Sequence, residues 1–453
     1  MLAPETLTLA EAKVPRYTSY PTAPHFTPNV GAAKLRRWLA AIDGTHSVSV
    51  YVHVPFCKQL CWYCGCNTSI SAKYEPVHHY LQTLIREIAQ ARRIVGRNLH
   101  VGHLHLGGGT PNALSAADFA ALAYALRAAF RFDAATQFDV ELDPRTLDAD
   151  MVAALKEAGV TRVNLGIQDF DARVQRAINR EQSFELVAGK LAALRAAGIA
   201  HIGMDLLYGL PHQTETSLHA TIDQVAELGA ERVALFGYAH VPWMKPHQKL
   251  LEPEGLPGTS ERWALASAAQ ARLRERGYAR IGIDHFAYPD DEMARAQREG
   301  HLRRNFQGYT TDTADTLIGF GPSAISAFAE GYAQNHPRLD SWRQAVEARD
   351  LPIARGCALD GEDRLRRAVI ERLMCDLEVD LERVCRGYAT RDGAAAHFAA
   401  ELTRLRRMEK DDLVRIDGTV LRVPEPARAF VRVVASVFDE YLEPGHAKHS
   451  VAV

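Results

Sequence analysis

From about residue 46 onward the sequence alternates short apolar segments with longer amphipathic ones, and this alternation restricts the fold more than any other feature. The apolar segments are rich in β-branched and aliphatic residues, as strands are. They lie at 47–54, 100–107, 137–143, 161–167, 201–209 and 231–238. Apolar residues between them recur at helical spacing, with Ser115 and Ser183 as expected N-caps. Alternating strands and helices form a parallel sheet, so we predict an α/β fold with a partial (β/α)6 TIM-like barrel over residues 46–290.

The remaining chain divides into three parts of different character. Residues 1–45 are expected to form an extended N-terminal arm, and residues 291–359 a connecting segment that contributes to the active site. Residues 360–453 are rich in Arg and Glu and predict a mainly helical, winged-helix-like C-terminal domain. Its hairpin, at 413–423, is predicted to turn through a type I′ Asp-Gly pair. Within the barrel, residues 279–286 predict a last strand.

Composition and charge exclude several classes of protein. A formal net charge of −2 argues against a nucleic-acid binder, which usually carries a basic face. No stretch reaches the roughly 18 apolar residues of a membrane span. The N-terminus lacks the basic start and apolar run of a signal peptide. We therefore expect a cytoplasmic protein, a monomer, with neither a nucleic acid nor a membrane as partner.

Four of the seven cysteines lie close together, at Cys57, Cys61, Cys64 and Cys66. A tight group in a reducing compartment indicates metal binding or catalysis rather than disulfides. The spacing C-x₃-C-x₂-C gives three thiolates, which can hold three irons of a cubane cluster and leave the fourth iron open to a ligand. The alternative is a zinc site that also uses Cys66, although zinc sites usually present two separated pairs.

Polar or Gly-rich residues follow one predicted strand after another. They are Tyr51 and the cysteines, then Gly107 to Thr110, then Glu141, Gln168, Asp205 and the segment from Tyr238 to His240. The carboxyl ends of strands in a parallel β/α barrel meet at one mouth, where active sites are built. The sequence therefore predicts a single site at this mouth.

The motif C-x₃-C-x₂-C, with Tyr63 before its third cysteine, resembles the signature of the radical S-adenosylmethionine (radical SAM) superfamily. The resemblance implies a radical SAM barrel with a [4Fe–4S] cluster on Cys57, Cys61 and Cys64. It also implies that the methionyl amine and carboxylate of S-adenosylmethionine chelate the open iron. One electron from the cluster then cleaves the sulfonium to a 5′-deoxyadenosyl radical.

Further segments resemble the oxygen-independent coproporphyrinogen III oxidase family over almost the whole chain. They are PRYTSYPTAPHF (15–26), YVHVPFCKQLCWYCGCN (51–67), LHLGGGTP (104–111), LGIQDF (165–170), DLLYGLP (205–211), GIDHFAYPDDE (282–292) and NFQGYTT (305–311). This resemblance implies oxidative decarboxylation of two propionates of coproporphyrinogen III to vinyl groups, giving protoporphyrinogen IX in haem synthesis. An electron donor and an electron acceptor, both unidentified, would be partners.

In that family two S-adenosylmethionine molecules occupy the site. By matching motifs, the first is expected to contact Tyr51, Gly108, Glu141 and Ile325, with Tyr51 and Glu141 as the catalytic residues. The second is expected to contact Tyr63, Gly109, Thr110, Gln168, Arg180, Asp205 and Ala239.

Three other functions fit part of the pattern. A related haem chaperone shares the cluster motif and barrel but binds haem and makes no vinyl groups. It lacks the PRYTSYPT arm and typically has C-x-F where this chain has C-G-C. A radical methyltransferase would also use two S-adenosylmethionines, and a zinc protein with a DNA-binding winged helix is the third alternative.

A substrate with four propionates needs cations. Arg303, Arg304 and Arg16 are the candidates, and Tyr17 and Tyr20 are expected to cover the flat macrocycle. We expect Arg295 and Arg298 to lie on a solvated helix face. Among the histidines, His53, His103 and His105 are expected to be packed or hydrogen-bonded barrel residues.

Overall fold

The computed structural model describes residue 9, residues 11–388 and residues 393–442. The outer ends of the predicted arm (1–45) and C-terminal domain (360–453) therefore lie outside the described residues. The strands are β1 Val48–Val54, β2 Phe56–Cys57, β3 Ser69–Ile70, β4 Val101–Gly108, β5 Gln137–Leu142, β6 Arg162–Gln168, β7 His201–Tyr208, β8 Arg232–Gly237, β9 Ala279–Ile281, β10 His285–Ala287, β11 Arg303–Asn305, β12 Gly308–Thr310, β13 Leu317–Phe320, β14 Ile325–Phe328, β15 Gly331–Asn335, β16 Ile353–Ala358, β17 Glu378–Asp380, β18 Arg415–Asp417 and β19 Val420–Arg422.

The α-helices are α1 Ala32–Ala41, α2 Glu75–Val95, α3 Ala116–Ala129, α4 Ala149–Ala158, α5 Ala172–Ala177, α6 Phe184–Ala196, α7 Glu215–Glu227, α8 Thr259–Glu275, α9 Glu292–Arg298, α10 Leu339–Glu347, α11 Gly361–Asp376, α12 Leu381–Gly387, α13 Ala394–His397, α14 Ala399–Glu409 and α15 Val431–Ala435. Short 3₁₀ helices occur at Ala23–His25, Pro111–Ala113, Pro144–Thr146, Pro246–Glu254, Glu425–Phe430 and Ser436–Phe438. No helix of the described residues combines the length and apolar character needed to cross a membrane.

A twelve-stranded sheet forms the centre of the molecule, in the order β16-β15-β14-β13-β1-β4-β5-β6-β7-β8-β10-β9. The six strands β1 and β4 to β8 run parallel, which confirms the predicted partial barrel. Ser115 and Ser183 cap α3 and α6 as expected. The segment 291–359 contributes four further strands to the same sheet, and the first of these, β13, pairs in parallel with β1.

Side chains alternate between the two faces of the barrel strands. In β5, Phe138, Val140 and Leu142 are buried in the main hydrophobic core. The intervening Asp139 and Glu141 form hydrogen bonds with histidines of the neighbouring strand β4. The outer face therefore packs on the helices, whereas the inner face carries the polar groups that lead to the site.

The prediction of a single last strand over 279–286 is wrong. The segment forms a hairpin of two short strands, β9 and β10, and β10 pairs antiparallel with β8. The chain reverses at Gly282, whose φ is +52° and where an added Cβ would lie 2.0 Å from the ring of Tyr309. Only glycine fits this close approach at a positive φ, so the segment cannot continue as one strand.

The N-terminal arm is less extended and more buried than predicted. Residues Ala32–Ala41 form α1, whose Leu35, Trp38 and Leu39 are buried against the barrel core. Tyr17 and Tyr20 are 4% and 1% exposed and belong to the hydrophobic core of the C-terminal region. The expectation that these two rings cover the substrate is therefore wrong, because they are packed inside the protein.

The C-terminal region contains helices α11 to α15 and a small sheet in the order β17-β19-β18. This is the helix-and-hairpin arrangement that the sequence predicts. The turn differs from the prediction, because Asp417 pairs with Val420 and the central residues are Gly418 and Thr419. Only Gly418 has a positive φ, of +61°, whereas a type I′ turn requires positive values at both central residues.

Candidate active site

The carboxyl ends of the parallel strands surround a cavity of about 170 Å³. Most of the predicted site residues line this cavity: Cys57, Cys61, Tyr63, Cys64, Gly108, Gly109, Thr110, Glu141, Gln168, Arg180 and Asp205. Tyr51, Ala239 and Ile325 do not line it. The predicted convergence of strand ends thus brings residues from five strands and their loops to one place.

The loop after β1 carries the cysteines, and their sulfurs accept hydrogen bonds. The Thr68 hydroxyl donates to Cys57 Sγ at 3.4 Å, and the backbone N–H of Cys66 donates to Cys64 Sγ at 3.4 Å. A hydrogen bond from the Cys66 side chain lowers the pKa of Cys64 to about 6, whereas burial raises the pKa of Cys57 to about 11. All three predicted ligands are free thiols.

Cys61 lies beside two guanidinium groups. Its Sγ is 3.5 Å from Nη2 of Arg145 and 3.4 Å from Nη1 of Arg180. Asp143 holds both arginines, at 2.7 Å from Arg145 and 3.6 Å from Arg180. Although burial opposes ionisation, these two cations keep the pKa of Asp143 below its usual range. Both guanidinium groups can therefore donate hydrogen bonds to this sulfur.

Asp143 and Arg145 are cavity residues that the sequence prediction did not include. Both belong to the segment Asp-Pro-Arg that follows β5, the strand that carries Glu141 and ends at Leu142. That segment reads locally as a turn, and Asp143 does cap the short helix at Pro144–Thr146. Their position just past a predicted parallel strand was the sequence signal that could have identified them as site residues.

Glu141 presents its carboxylate to the cavity with 41% of its side chain exposed. His105 Nε2 lies 3.0 Å from Oε1, and the N–H of Gly108 donates to Oε2 at 3.4 Å. Burial opposes the negative charge, but these bonds and the charge of His105 hold the pKa of Glu141 below its ordinary value. Gly108 is required here, because its φ is +121° and an added Cβ would lie 2.8 Å from the carbonyl oxygen of Val54.

Tyr51 stands behind this carboxylate rather than in the cavity wall. Its ring stacks on His105 with centroids 5.8 Å apart, and its hydroxyl lies 3.0 Å from Nδ1 of His53. His53 in turn contacts the carbonyl of Asn67 at 2.8 Å through Nε2. These contacts, with the ion pair of His103 and Asp139 at 2.9 Å, confirm the histidines as hydrogen-bonded barrel residues.

Thr110 holds the Gly-rich loop in place with its own polar groups. Its hydroxyl bonds to the side chain of Asn112 and accepts the N–H of Asp143 at 3.1 Å. Its backbone N–H donates to the carbonyl of Phe56 at 2.9 Å. The loop after β4 is thereby fixed against the cysteine loop, and the neighbouring Gly109 lines the cavity with it.

Gln168 and Asp205 line the cavity from β6 and β7. Gln168 has a φ of +71° at a bulge in the pairing of these strands. A bulky residue in this region stores strain, which concentrates at functional sites. Burial raises the pKa of Asp205 to about 6, although a hydrogen bond with Asn164 opposes the shift.

Ala239 and Ile325 lie elsewhere around the barrel mouth. Ala239 lines a second, larger cavity of about 650 Å³ beside the carboxyl ends of β7 and β8. Ile325 begins β14 and pairs there with Gln334.

Comparison with known proteins agrees with this geometry. Residues 51–225 match the radical SAM superfamily, and residues 359–430 match the HemN C-terminal domain. The chain is 46% identical over 453 residues to an oxygen-independent coproporphyrinogen III oxidase of Bradyrhizobium diazoefficiens, with 100% of both chains covered. The chain belongs to the oxygen-independent coproporphyrinogen III oxidase family. An Escherichia coli member of this family is 39% identical over 94% of this chain and 93% of its own.

A solved structure extends the agreement to three dimensions. Coproporphyrinogen III oxidase (HemN) from Escherichia coli, a radical SAM enzyme, superimposes with a TM-score of 0.90 at 38% identity. The match covers 95% of this chain and 100% of that one. As a member of this radical SAM family, the protein uses a [4Fe–4S] cluster and S-adenosylmethionine.

The residues present fit these two groups. Three free thiols line one cavity, and hydrogen-bond donors that suit thiolates surround their sulfurs. The Nε atom of Arg180 is buried without a hydrogen-bond partner, so this cation can still pair with an anion in the cavity. Glu141 and Asp205 supply acceptors for an ammonium group or ribose hydroxyls.

Proposed function

We propose that this protein oxidatively decarboxylates two propionates of coproporphyrinogen III to vinyl groups, without oxygen, to give protoporphyrinogen IX. The observation that carries the proposal is full-length similarity to oxidases of this name, combined with an intact cysteine and Glu141 site at the barrel mouth. Each propionate loses one hydrogen atom, CO₂ and one electron, and an external acceptor takes the electron.

When bound, the cluster would supply the electron for cleavage of S-adenosylmethionine, and this cofactor would supply the radical chemistry needed to remove a β-hydrogen of the propionate. The chain binds and orients the reactants. Cys57, Cys61 and Cys64 hold the cluster, with Arg145 and Arg180 offsetting its negative charge. The low dielectric of the buried site strengthens these interactions and keeps water from the radical.

Two S-adenosylmethionine sites are part of the proposal. The first uses Tyr51, Gly108, Glu141 and Ile325. The second uses Tyr63, Gly109, Thr110, Gln168, Arg180, Asp205 and Ala239. The cavity lining supports the second site except for Ala239, and it supports the Gly108 and Glu141 part of the first. Ala239 lines the neighbouring larger cavity, which supports a second site that extends from the cysteine cavity toward that one.

We also infer a cytoplasmic monomer with the four-part division at residues 45, 290 and 359, served by an external electron donor and acceptor. Separate hydrophobic cores in the barrel and the C-terminal region support the boundary near residue 359.

The test is anaerobic incubation of the reconstituted protein with coproporphyrinogen III, S-adenosylmethionine and a strong reductant. We expect protoporphyrinogen IX and 5′-deoxyadenosine to form together. Stoichiometric haem binding without vinyl product would contradict the proposal and identify the protein as a haem chaperone. Methylated product would identify a methyltransferase.

A further inference from the structure

The larger cavity lies between the barrel mouth, the N-terminal arm, α8 and the C-terminal region. Its volume of about 650 Å³ is within the range of roughly 300–1,000 Å³ typical of ligand pockets. Six cationic side chains line it: Lys13, Arg16, Arg262, Arg274, Arg280 and Arg432. Only two carboxylates, Asp284 and Glu425, join them in the described lining, which leaves four positive charges in excess.

Two of these arginines retain hydrogen-bonding capacity. Arg262 donates through Nη1 to the carbonyl of Tyr238 at 2.9 Å, but its Nε is buried without a partner. Arg280 is 3.8 Å from Glu425 and also has a buried Nε without a partner. Burial lowers the pKa of both, and the charge of Arg428 helps to lower that of Arg280 to about 10. Buried guanidinium groups are normally paired, so the arrangement calls for an added anion.

Two other arginines of the barrel form close ion pairs with carboxylates. Arg232 contacts Asp291 at 3.0 Å and Glu292 at 2.7 Å. Arg272, on the same helix as Arg262, contacts Asp223 at 2.6 Å. The deficit of carboxylates is therefore a property of the large cavity and not of the chain in general.

The arm completes the cavity and is held there by the C-terminal region. Arg432 donates through Nε to the carbonyl of Pro15 at 2.9 Å and through Nη2 to that of Val14. Arg16 then reaches across to the carbonyl of Gly237, at the end of β8, at 3.3 Å. The docked arm therefore places the Arg16 guanidinium at the barrel mouth.

The cavity also offers flat apolar walls next to the cluster site. Aromatic side chains line it: Tyr208, Phe236, Tyr238, Trp243 and Trp263. Tyr63 of the cysteine loop packs in the same hydrophobic cluster as Tyr238. On β7, Asp205 lines the cluster cavity and Tyr208 lines the large one. A ligand bound here would therefore lie beside the site of radical formation.

We propose that this cavity binds a tetracarboxylate macrocycle, with Arg16, Arg262 and Arg280 pairing with its carboxylates and the aromatic walls contacting its rings. The proposal rests on the proposed function, since coproporphyrinogen III has this chemistry. It replaces two of the candidates from the sequence. Arg303 pairs with Glu371 at 2.9 Å, and Arg304 lies over the ring of Tyr309 at 4.3 Å, and neither lines the cavity.

The test uses fluorescent coproporphyrin III as the probe, bound to the reconstituted holoenzyme, and compares Arg262→Gln and Arg280→Gln with wild type. Each loses a charge-assisted hydrogen bond, so we expect roughly 10- to 150-fold weaker binding, with smaller losses in Arg262→Lys and Arg280→Lys. Arg272→Gln, on the same helix, is the matched control and should bind as wild type. Deuteroporphyrin IX, which has two propionates, should bind wild type more weakly than coproporphyrin III.

A second measurement separates this proposal from the proposed function. All variants should retain iron and S-adenosylmethionine affinity, and the Gln variants should show a raised KM for coproporphyrinogen III. Unchanged probe affinity and KM in both Gln variants, with vinyl product still formed, would overturn the cavity assignment alone. Loss of affinity that Arg272→Gln shares, or equal binding of the two porphyrins, would also overturn it. A wild-type enzyme that binds the probe through these arginines but forms no vinyl product would contradict only the proposed function.

Discussion

The Nη1 atom of Arg180 lies 3.4 Å from the Sγ of Cys61, although the two residues are 119 positions apart in the sequence. The contact forms because Arg180 follows β6 and α5, whereas Cys61 follows β1, and both connections lie at the same mouth of the barrel. It places a buried cation against the sulfur of one of the three proposed cluster ligands. Hydrogen bonds and charges of this kind stabilise an iron–sulfur cluster and influence its potential.

Removing any one of the three cluster cysteines should abolish iron binding. We expect Cys57→Ala, Cys61→Ala and Cys64→Ala to lose iron, colour and 5′-deoxyadenosine formation, because a site with two thiolates cannot hold the cubane. Cys66→Ala is the control and should keep its iron. Iron per chain after anaerobic reconstitution is the measurement, and loss of iron in Cys66→Ala would show that the ligand set is different.

Asp143 should be important for stability as well as for the site. Asp143→Ala leaves Arg145 and Arg180 without their shared carboxylate in a largely buried position. Breaking a buried ion pair from one side costs about 3–5 kcal/mol in free energy of unfolding. Urea unfolding of the cluster-free protein measures this cost. Asp223→Ala removes a carboxylate that also holds two arginines but has 30% of its side chain exposed, and a cost as large there would contradict the role of burial.

Glu141 should contact S-adenosylmethionine directly. Glu141→Gln removes one charge-assisted hydrogen bond, so we expect an affinity lower by about 1.5–3 kcal/mol, or roughly 10- to 150-fold. The melting temperature of the ligand-free protein should change little, because the carboxylate faces the cavity. Anaerobic calorimetry gives the affinity, with the exposed Glu157→Gln as control. Normal binding by a variant that unfolds early would indicate a structural role instead.

The stability of the barrel should depend on pH through His103. Burial opposes its protonation, but Asp139 at 2.9 Å and Asp312 at 3.7 Å outweigh this and raise the pKa of the imidazole to about 10 from its ordinary 6.5. The raised pKa means that the folded state keeps a proton that the unfolded chain releases. The stabilisation is therefore complete below pH 6.5 and is lost as the pH rises toward 10.

Urea unfolding of the cluster-free protein at several pH values between 6.5 and 10 tests this pH dependence. Wild type should lose up to about 1.4 kcal/mol of unfolding free energy per pH unit from this one group. The slope of His103→Gln should be shallower by this amount. If the unfolding free energies of the two proteins depended on pH in the same way, His103 would not carry the additional proton in the folded state.

The two functions of the arm should separate by mutation. Tyr20→Ala empties a fully buried position, and loss of a large aromatic side chain costs about 3–5 kcal/mol, which should appear as a lower melting temperature. Arg16→Gln should leave the melting temperature unchanged and weaken coproporphyrin III binding. If Arg16→Gln unfolded early and bound the porphyrin normally, the arm would be only structural.

Much of the barrel and its site could be predicted from the sequence because the signals are local. Apolar runs such as 137–143 predict buried parallel strands. The residue after each of these strands lies at the same mouth of the barrel, because the strands run in one direction. The same local logic failed at 279–286, where the ring of Tyr309 and the φ of Gly282 force a reversal. It also failed for Tyr17 and Tyr20, since only docking on the C-terminal region decides whether an aromatic ring is exposed or buried.

The cationic cavity lay beyond sequence reasoning for another reason. Its arginines come from the arm, α8, β9 and the C-terminal region, and no spacing relates Arg16, Arg280 and Arg432. Arg303 and Arg304 looked favourable because they are adjacent, yet Arg303 pairs with Glu371, Arg304 lies over the ring of Tyr309, and neither lines the cavity. Which cations remain available depends on where the acids lie in space.

The bond from Arg432 to the carbonyl of Pro15 joins residues 417 positions apart, across nearly the whole chain. A ribosome must therefore translate almost the entire message before this wall of the cavity can exist. By contrast, the cysteine loop, the strands β1 and β4 to β8, and all the proposed cofactor residues except Ile325 are complete by about residue 240. A nascent or C-terminally truncated chain would thus contain these cofactor residues before it could bind a porphyrinogen. During synthesis, the residues for radical formation are therefore in place before the residues that would position the substrate.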